Sequence, residues 1–346
     1  MIISRILKAI SMLNVIMVII NPISYKVEHF TLNNKPETSY TLSLNMGNKG
    51  IRLENVLSYD VLYGFDKTSV MTNNHKALFG VNGMFYDSLG MTYGLLIMDH
   101  KVVTMDSIGT PTVLVTGEGQ VSIEEVTIKG QVQGEKKTIA LFGTNRSAPS
   151  NEWVLYDAIY GATTRIRRPS INYLIKDEVV QEVIVTDAPV SLKNSDYVLA
   201  HVVKDPIPTF TVGEKVNIDF ELSNGLKNVA EAFQTGGWLV DDGKNVAKDY
   251  ENFTGPTTAP SPRTLVGITK DNKVIFKVID GRIPDISVGV SGYEAAQIML
   301  SEGCRYAAYL DGGASTTMVV RGEVVNMPSN GEERDVAHCV VIRLEE

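Results

Sequence analysis

Four segments of the chain share one shape, an apolar run closed by Asn-Gly or Asp-Gly. They lie at 78–83, 238–243, 274–281 and 307–313, and they set Asn82, Asp242, Asp280 and Asp311 at the run ends. Polar side chains at the ends of interior strands tend to converge on one edge, and the glycine beside each lets a ligand approach the backbone closely. The last segment is the most pointed. Asp311 is followed by Gly312, Gly313, Ala314, Ser315, Thr316 and Thr317, which puts two flexible residues and three hydroxyls at one spot. Such a turn can aim backbone N–H groups at an anion. Its spacing is neither that of a GxxxxGK[ST] P-loop nor that of a dinucleotide-binding fingerprint.

Arg263, Arg282 and Arg334 supply the matching half, because a guanidinium fork can hold two phosphate oxygens at once. Taken singly, each also reads as a surface ion pair. Asx-Gly pairs are also the favoured two-residue hairpin turns. Asp242-Gly243, followed by Lys244 and Asn245, reads as a plain hairpin. Arg165, Arg167 and Arg168 read as a solvated face.

The elements that must position these groups are mostly strands. In the runs ending at Asp280 and Asp311 both alternating faces are apolar, the mark of strands covered on both sides. From 40 to 132 short apolar runs alternate with Gly, Asn and Asp turns. The stretch 136–220 continues in that style, with strands expected at 182–186 and 197–200, and reads as a β-rich insertion or subdomain. Two helices are expected. Leu226, Val229, Ala230 and Phe233 fall at i, i+3, i+4 and i+7, with Ser223 or Asn224 as cap and Gly236-Gly237 as stop, which predicts a helix near 224–234. Ser291 and Glu294 form a capping-box pattern before Ala295, Ala296, Ile298, Met299 and Leu300, and Gly303 ends a second helix over 291–303. The Pro/Thr stretch 255–262 reads as a long surface or active-site loop.

The 346 residues fit one large domain or two small ones. Hydrophobic residues are 44% and charged residues 21%, so the chain can bury a core and is not a disordered tail. Lys plus Arg number 32 against 40 Asp plus Glu, a formal charge of −8, which argues against a general nucleic-acid binder and leaves room for a local basic pocket. Cys304 and Cys339 are too few for a disulfide scaffold or a four-cysteine zinc site, and the five histidines form no HExxH pair. At the start, Arg5 and Lys8 precede an apolar stretch at 9–20. Residues 1–24 therefore read as a signal peptide or signal anchor, implying a secreted or cell-surface protein with N-terminal membrane attachment. The stretch is short of the roughly 20 apolar residues of a spanning helix and lacks a small-x-small cleavage site. The alternative is a buried strand or helix opening the domain. The expected fold class is α+β: strand-rich mixed sheets with a few helices, in a single catalytic domain over 25–346 whose variable β-rich part is about 100–220.

In order along the chain, these pieces resemble the phosphodiester glycosidase family. The resemblance rests on Val81-Asn82-Gly83-Met84-Phe85-Tyr86-Asp87, Gly236-Gly237 leading to Asp242-Gly243, Pro262-Arg263-Thr264, Asp280-Gly281-Arg282 and the Ser291-Gly292 helix start. It rests most on Asp311-Gly312-Gly313-Ala314-Ser315-Thr316-Thr317-Met318, with Asn326, Pro328-Ser329 and Glu333-Arg334 closing the series. Two positions depart from the family pattern: Ala314 replaces a usual Gly, and Trp238 sits where Pro is common.

The resemblance implies a hydrolase that cleaves the bond between a sugar's anomeric carbon and a phosphodiester oxygen, releasing the sugar and a phosphomonoester. Such a leaving group needs charge stabilisation more than acid help. Arg263 and Arg334 would hold the phosphate, with Arg282 beside them and the turn of Gly312, Gly313, Ser315 and Thr316 donating hydrogen bonds. Asp311, then Asp280, would be nucleophile or general base, and Asn82 would orient sugar or phosphate. Asp280, Asp311, Asn82 and backbone carbonyls also make an oxygen set suited to Ca²⁺ or Mg²⁺, although no EF-hand pattern accompanies them and Asp at Asx-Gly is also a turn former. Two other readings stay open, a carbohydrate-binding module without turnover and a phosphoesterase cutting the P–O bond.

Overall fold

The computed structural model describes residues 11–20, 22–47, 50–106 and 108–344. Strands make up 48% of the chain and helices 8%, so the protein is mostly β. Among the described residues the α-helices are Thr68–Asn74 and Gly292–Ser301.

The largest sheet has eight strands in the order Ser11–Ile20, Ile23–Leu32, Lys35–Asn45, Lys273–Ile279, Arg263–Thr269, Cys304–Tyr309, Trp238–Asp241 and Lys244–Asn245. Every neighbouring pair in it is antiparallel. The runs leading to Asp280 and Asp311 are interior, as their two apolar faces require. On one face lies the Gly292–Ser301 helix, whose Ala295, Ala296 and Met299 pack on Leu265, Ile275 and Ala307. Its start is fixed by the expected box: Ser291 Oγ accepts from Glu294 N at 3.3 Å, and Glu294 Oε2 accepts from Ser291 N at 2.8 Å. On the other face Val266, Phe276 and Val278 meet Phe79, Val81 and Val340 of a second sheet. That sheet runs Glu323–Val324, Met318–Val320, Phe79–Asn82, His338–Leu344 and Ile51–Leu57.

The helix expected near 224–234 does not form. Val229–Gln234 is a strand between Thr112–Thr116 and Leu95–Met98, and its neighbours bury both of its faces. Eight residues of apolar spacing cannot separate a helix from a doubly covered strand, and the ladder on both sides decides for the strand. Asp242-Gly243 is the expected hairpin: the two residues, at φ 46° and 72°, join Asp241 to its partner Lys244. The middle of the chain folds into further sheets, one of Gly143–Thr144, Trp153–Tyr156, Tyr197–Val202, Ser170–Lys176 and Val179–Thr186. Within the apolar start, Ser11–Ile20 pairs with Ile23–Leu32 at the edge of the large sheet, whereas residues 1–10 of the expected signal segment lie outside the described residues. No helix among the described residues is long and apolar enough to cross a membrane.

Register places the chemistry. Arg263 pairs with Ile279 and Leu265 with Tyr309, so Arg263, Asp280 and Asp311 come to the same end of the large sheet. Val81 pairs with Met318, which puts Asn82 beside Thr317 at the end of the second sheet.

One charged cluster is sealed beneath the helix. Lys277, 1% exposed, donates to Glu28 Oε2 at 3.1 Å, Glu302 Oε1 at 2.8 Å and Thr41 Oγ1 at 2.7 Å. Removing one partner of a buried ion pair leaves an uncompensated charge. Lys277→Met should lower unfolding free energy by about 3 kcal/mol in urea denaturation; unchanged stability would contradict this account of the cluster.

Candidate active site

Asn82 is fully buried and joins the two sheets. Its Oδ1 accepts from Thr264 Oγ1 at 2.8 Å and from Thr317 N at 3.0 Å. Its Nδ2 donates to Asp311 O at 2.5 Å. The next residue continues the link, because Gly83 O accepts from Asp311 N at 2.9 Å. Leaving a buried amide group unpaired costs about 1–3 kcal/mol, so this pattern fixes Asp311 against the end of the Phe79–Asn82 strand.

The Asp311 side chain leaves this frame toward Ser315, Tyr86 and Arg334. Protein crowds its carboxyl enough to push the pKa up to about 6, while Ser315, the Arg334 charge and the Gly312 amide pull the other way. The residue nevertheless keeps part of its surface open, and Arg334 is exposed beside it. Ser315 Oγ is buried without a well-formed hydrogen bond, yet it faces both the Asp311 carboxyl and the Tyr86 phenol. Burial and Asp311 raise the Tyr86 phenol's pKa, while Ser315 and Arg334 lower it.

Asp280 sits deeper. It is fully buried, and its Oδ1 accepts from Asn326 Nδ2 at 3.2 Å and Met327 N at 3.1 Å. Asn326 also donates to Thr316 O at 3.1 Å and accepts from Met318 N at 2.8 Å. Asp280 thus reaches the Asp311 turn through Asn326. Desolvation pushes its pKa up to about 6.

The three arginines separate. Arg263 is 5% exposed and faces carbonyls: Nε donates to Val290 O at 3.1 Å, and Nη2 to Thr257 O and Ala259 O at 3.4 and 3.3 Å. Its guanidinium lies 5.6 Å from the centre of the Tyr309 ring. Arg282 is exposed, donates to Ser261 Oγ at 3.1 Å and borders Gly313. Arg334 accompanies Asp311. The amides of the Asp311 turn are largely engaged within the fold. Gly313 N donates to Pro262 O, Ser315 N to Gly312 O, Thr316 N to Gly313 O and Thr317 N to Asn82. Of the oxygens considered for a cation, Asn82 Oδ1 already accepts two hydrogen bonds and Asp280 Oδ1 another two, whereas Asp280 Oδ2 is buried with no hydrogen-bond partner. Among the described residues no three His, Cys, Asp or Glu side chains group closely enough to hold a metal.

The phosphodiester glycosidase family model matches residues 156–343, more than half of the chain. The chain belongs to the phosphodiester glycosidase family. A curated relative, the SPbeta prophage-derived uncharacterized protein YomE of Bacillus subtilis (strain 168), is 33% identical over 128 residues, which is 37% of this chain and 19% of that protein. The aligned part thus spans about a fifth of that relative's length. Solved structures share the fold at low identity. A hypothetical protein from Synechocystis superposes with TM-score 0.78 at 14% identity, covering 93% of this chain and 62% of that one. The zebrafish N-acetylglucosamine-1-phosphodiester alpha-N-acetylglucosaminidase catalytic domain, auto-inhibited by its pro-peptide, superposes with TM-score 0.53 at 14% identity, covering 98% and 84%.

In this member of the family the sequence motifs acquire physical reasons. Gly83 is required because a Cβ there would lie 2.1 Å from His338 Nδ1. His338 was not among the expected site residues; a lone histidine in an apolar strand carries no spacing signal. Its fully buried ring accepts from Met84 N at 3.1 Å through Nδ1, which leaves Nε2–H to donate to Asn55 Oδ1 at 3.1 Å. Asn55 in turn donates to Glu231 Oε2 at 2.8 Å. This chain supports the turn after Asn82 from behind, and its far end borders a separate cleft of about 1420 Å³. Thr264, Asn326 and Tyr86 were likewise unassigned, although each stands inside a family motif.

Burial lowers the His338 pKa to about 3. The native state therefore resists protonation that the unfolded chain accepts near pH 6.5. The resulting stability is complete above that value and is lost as pH falls toward about 3. Gln can accept and donate at the same two points without charging. Thermal unfolding between pH 7 and pH 4 should show a flatter decline for His338→Gln than for the wild type; parallel curves would contradict the assignment.

Proposed function

We propose that the chain hydrolyses the glycosidic bond of sugar 1-phosphodiesters, releasing the sugar and a phosphomonoester. The observation that carries this function is Asp311, a residue only partly buried, with the exposed Arg334 cation acting on its carboxyl, at the end of a two-sheet frame. Family membership and the fold shared with the zebrafish phosphodiester enzyme support it. Asn82 and Asp280 are sealed from solvent, so they act by holding the Asp311 turn. Asp311 is the group able to meet the anomeric carbon, as nucleophile or through a water. Arg334 and the partly open Tyr86 hydroxyl beside it, with Arg282 next to Gly313, offer donors for the departing phosphate, where charge stabilisation matters most, while buried Ser315 backs the Asp311 carboxyl. Arg263 contributes from behind, by fixing the 257–259 loop and adding positive charge beside Arg282.

Asp311 works as a carboxylate, and its pKa stands near 6. The rate constant kcat/KM on a sugar 1-phosphodiester should therefore fall as pH drops through about 6. Asp311→Asn should lower it by about 100-fold or more at unchanged Tm. Arg334→Ala should cost about 10- to 100-fold, the loss of a charge-assisted contact to phosphate. Full activity in both variants would overturn the proposal.

A further inference from the structure

A second feature, built on the segments flanking Asn82 and Asp311, is not used by the mechanism above. Phe85, Phe253 and Tyr93 form a continuous run of rings, with centroids 5.5 Å and 5.4 Å apart and interplanar angles of 29° and 35°. Phe85 is buried, Phe253 is partly open and Tyr93 is 39% exposed, so the run emerges from the core as a ledge. Next to it is Glu251, only 8% exposed, whose Oε1 is buried with no hydrogen-bond partner.

The Gly236-Gly237 motif explains how both fit against the sheet. A Cβ at Gly236 would lie 3.0 Å from Phe85 Cε2, and one at Gly237 would lie 2.1 Å from the Glu251 carboxyl carbon. Gly236 N donates to Tyr309 O at 2.8 Å. Tyr309 stands two residues before Asp311, and Phe85 three residues after Asn82. The ledge is thus anchored on the two chain segments that lead to Asp311 and away from Asn82. The small hairpin of Tyr250–Glu251 and Gly255–Pro256 carries Phe253, and Arg263 grips the loop that follows it.

We propose that Phe253, Tyr93 and Glu251 form the sugar side of the active site. A pyranose ring has a face of C–H bonds and a rim of hydroxyls. The C–H face suits the electron-rich faces of the exposed rings, and a rim hydroxyl can donate to the Glu251 carboxylate in a charge-assisted bond. A buried carboxylate oxygen without a donor is costly, and a turn of the Glu251 carboxyl toward the ledge would let a sugar hydroxyl supply one. This subsite rests on the glycosyl phosphodiester function proposed above and gives the glycosyl group, rather than the phosphate, its own set of residues.

The test titrates the full chain with a panel of methyl glycosides and separately with inorganic phosphate, by calorimetry or saturation-transfer NMR. Wild type should bind at least one glycoside. Phe253→Ala and Glu251→Gln should each weaken it by about tenfold, and Tyr93→Ala, a change at an exposed ring, by about threefold or more. Phosphate binding should be unchanged in all three. Absence of glycoside binding by the wild type, or equal binding by all variants, would overturn the subsite. Cleavage of a sugar 1-phosphodiester is assayed in parallel. Cleavage indifferent to the three substitutions overturns the ledge and leaves the hydrolase, whereas ledge-dependent glycoside binding without cleavage supports the ledge and overturns the hydrolase.

Discussion

The side-chain amide of Asn82 is the constraint on which the site depends. One oxygen and one nitrogen tie the end of the second sheet to Thr264 on the first, to Thr317 on its own neighbour and to the backbone of Asp311. No water competes for these groups, so each bond must be made or its loss is felt in full. Together with the Gly83–Asp311 and Asp280–Asn326 links, the Asn82 amide locks two sheets that otherwise meet through apolar side chains in register at the end where polar groups gather. The placement of the Asp311 carboxyl follows from that lock.

Around the lock, polar residues divide into a buried frame and an open rim. Asp280, His338 and Arg263 are enclosed, and neutral groups meet them: an amide and a backbone N–H for Asp280, an asparagine and a backbone N–H for His338, three carbonyls for Arg263. Neutral partners leave desolvation uncompensated. The carboxyl pKa therefore rises and the imidazole pKa falls. Asp311 keeps part of its surface open and Arg282 and Arg334 are exposed, so in the proposed function they are the charges left to meet a ligand. A rigid polar frame carrying a few open charged groups is the arrangement that keeps transition-state donors oriented before the substrate arrives.

Much of this was legible from local patterns. Apolar residues on both faces of 274–279 and 307–310 announced interior strands, and the glycine-rich sequel to Asp311 announced a special turn. The Ser291–Glu294 box announced a helix start, because all its contacts are local. The strand at Val229–Gln234 was misjudged for the opposite reason: its conformation is set by ladders to residues more than a hundred positions away. The same holds for roles. Arg263 and Asp280 stand at expected positions, but whether a side chain faces substrate or core depends on which way its loop turns, and that is not encoded in spacing. His338, Asn55 and Glu251 come from three unrelated segments, and only the folded chain shows what they touch.

The central claim is that the bond broken lies between sugar carbon and phosphate oxygen, with Asp311 acting at carbon. Hydrolysis of a sugar 1-phosphodiester in ¹⁸O-labelled water tests it most directly, read by mass spectrometry of both products. The label should appear in the released sugar and be absent from the phosphomonoester. Label in the phosphomonoester would mean attack at phosphorus and would contradict the account.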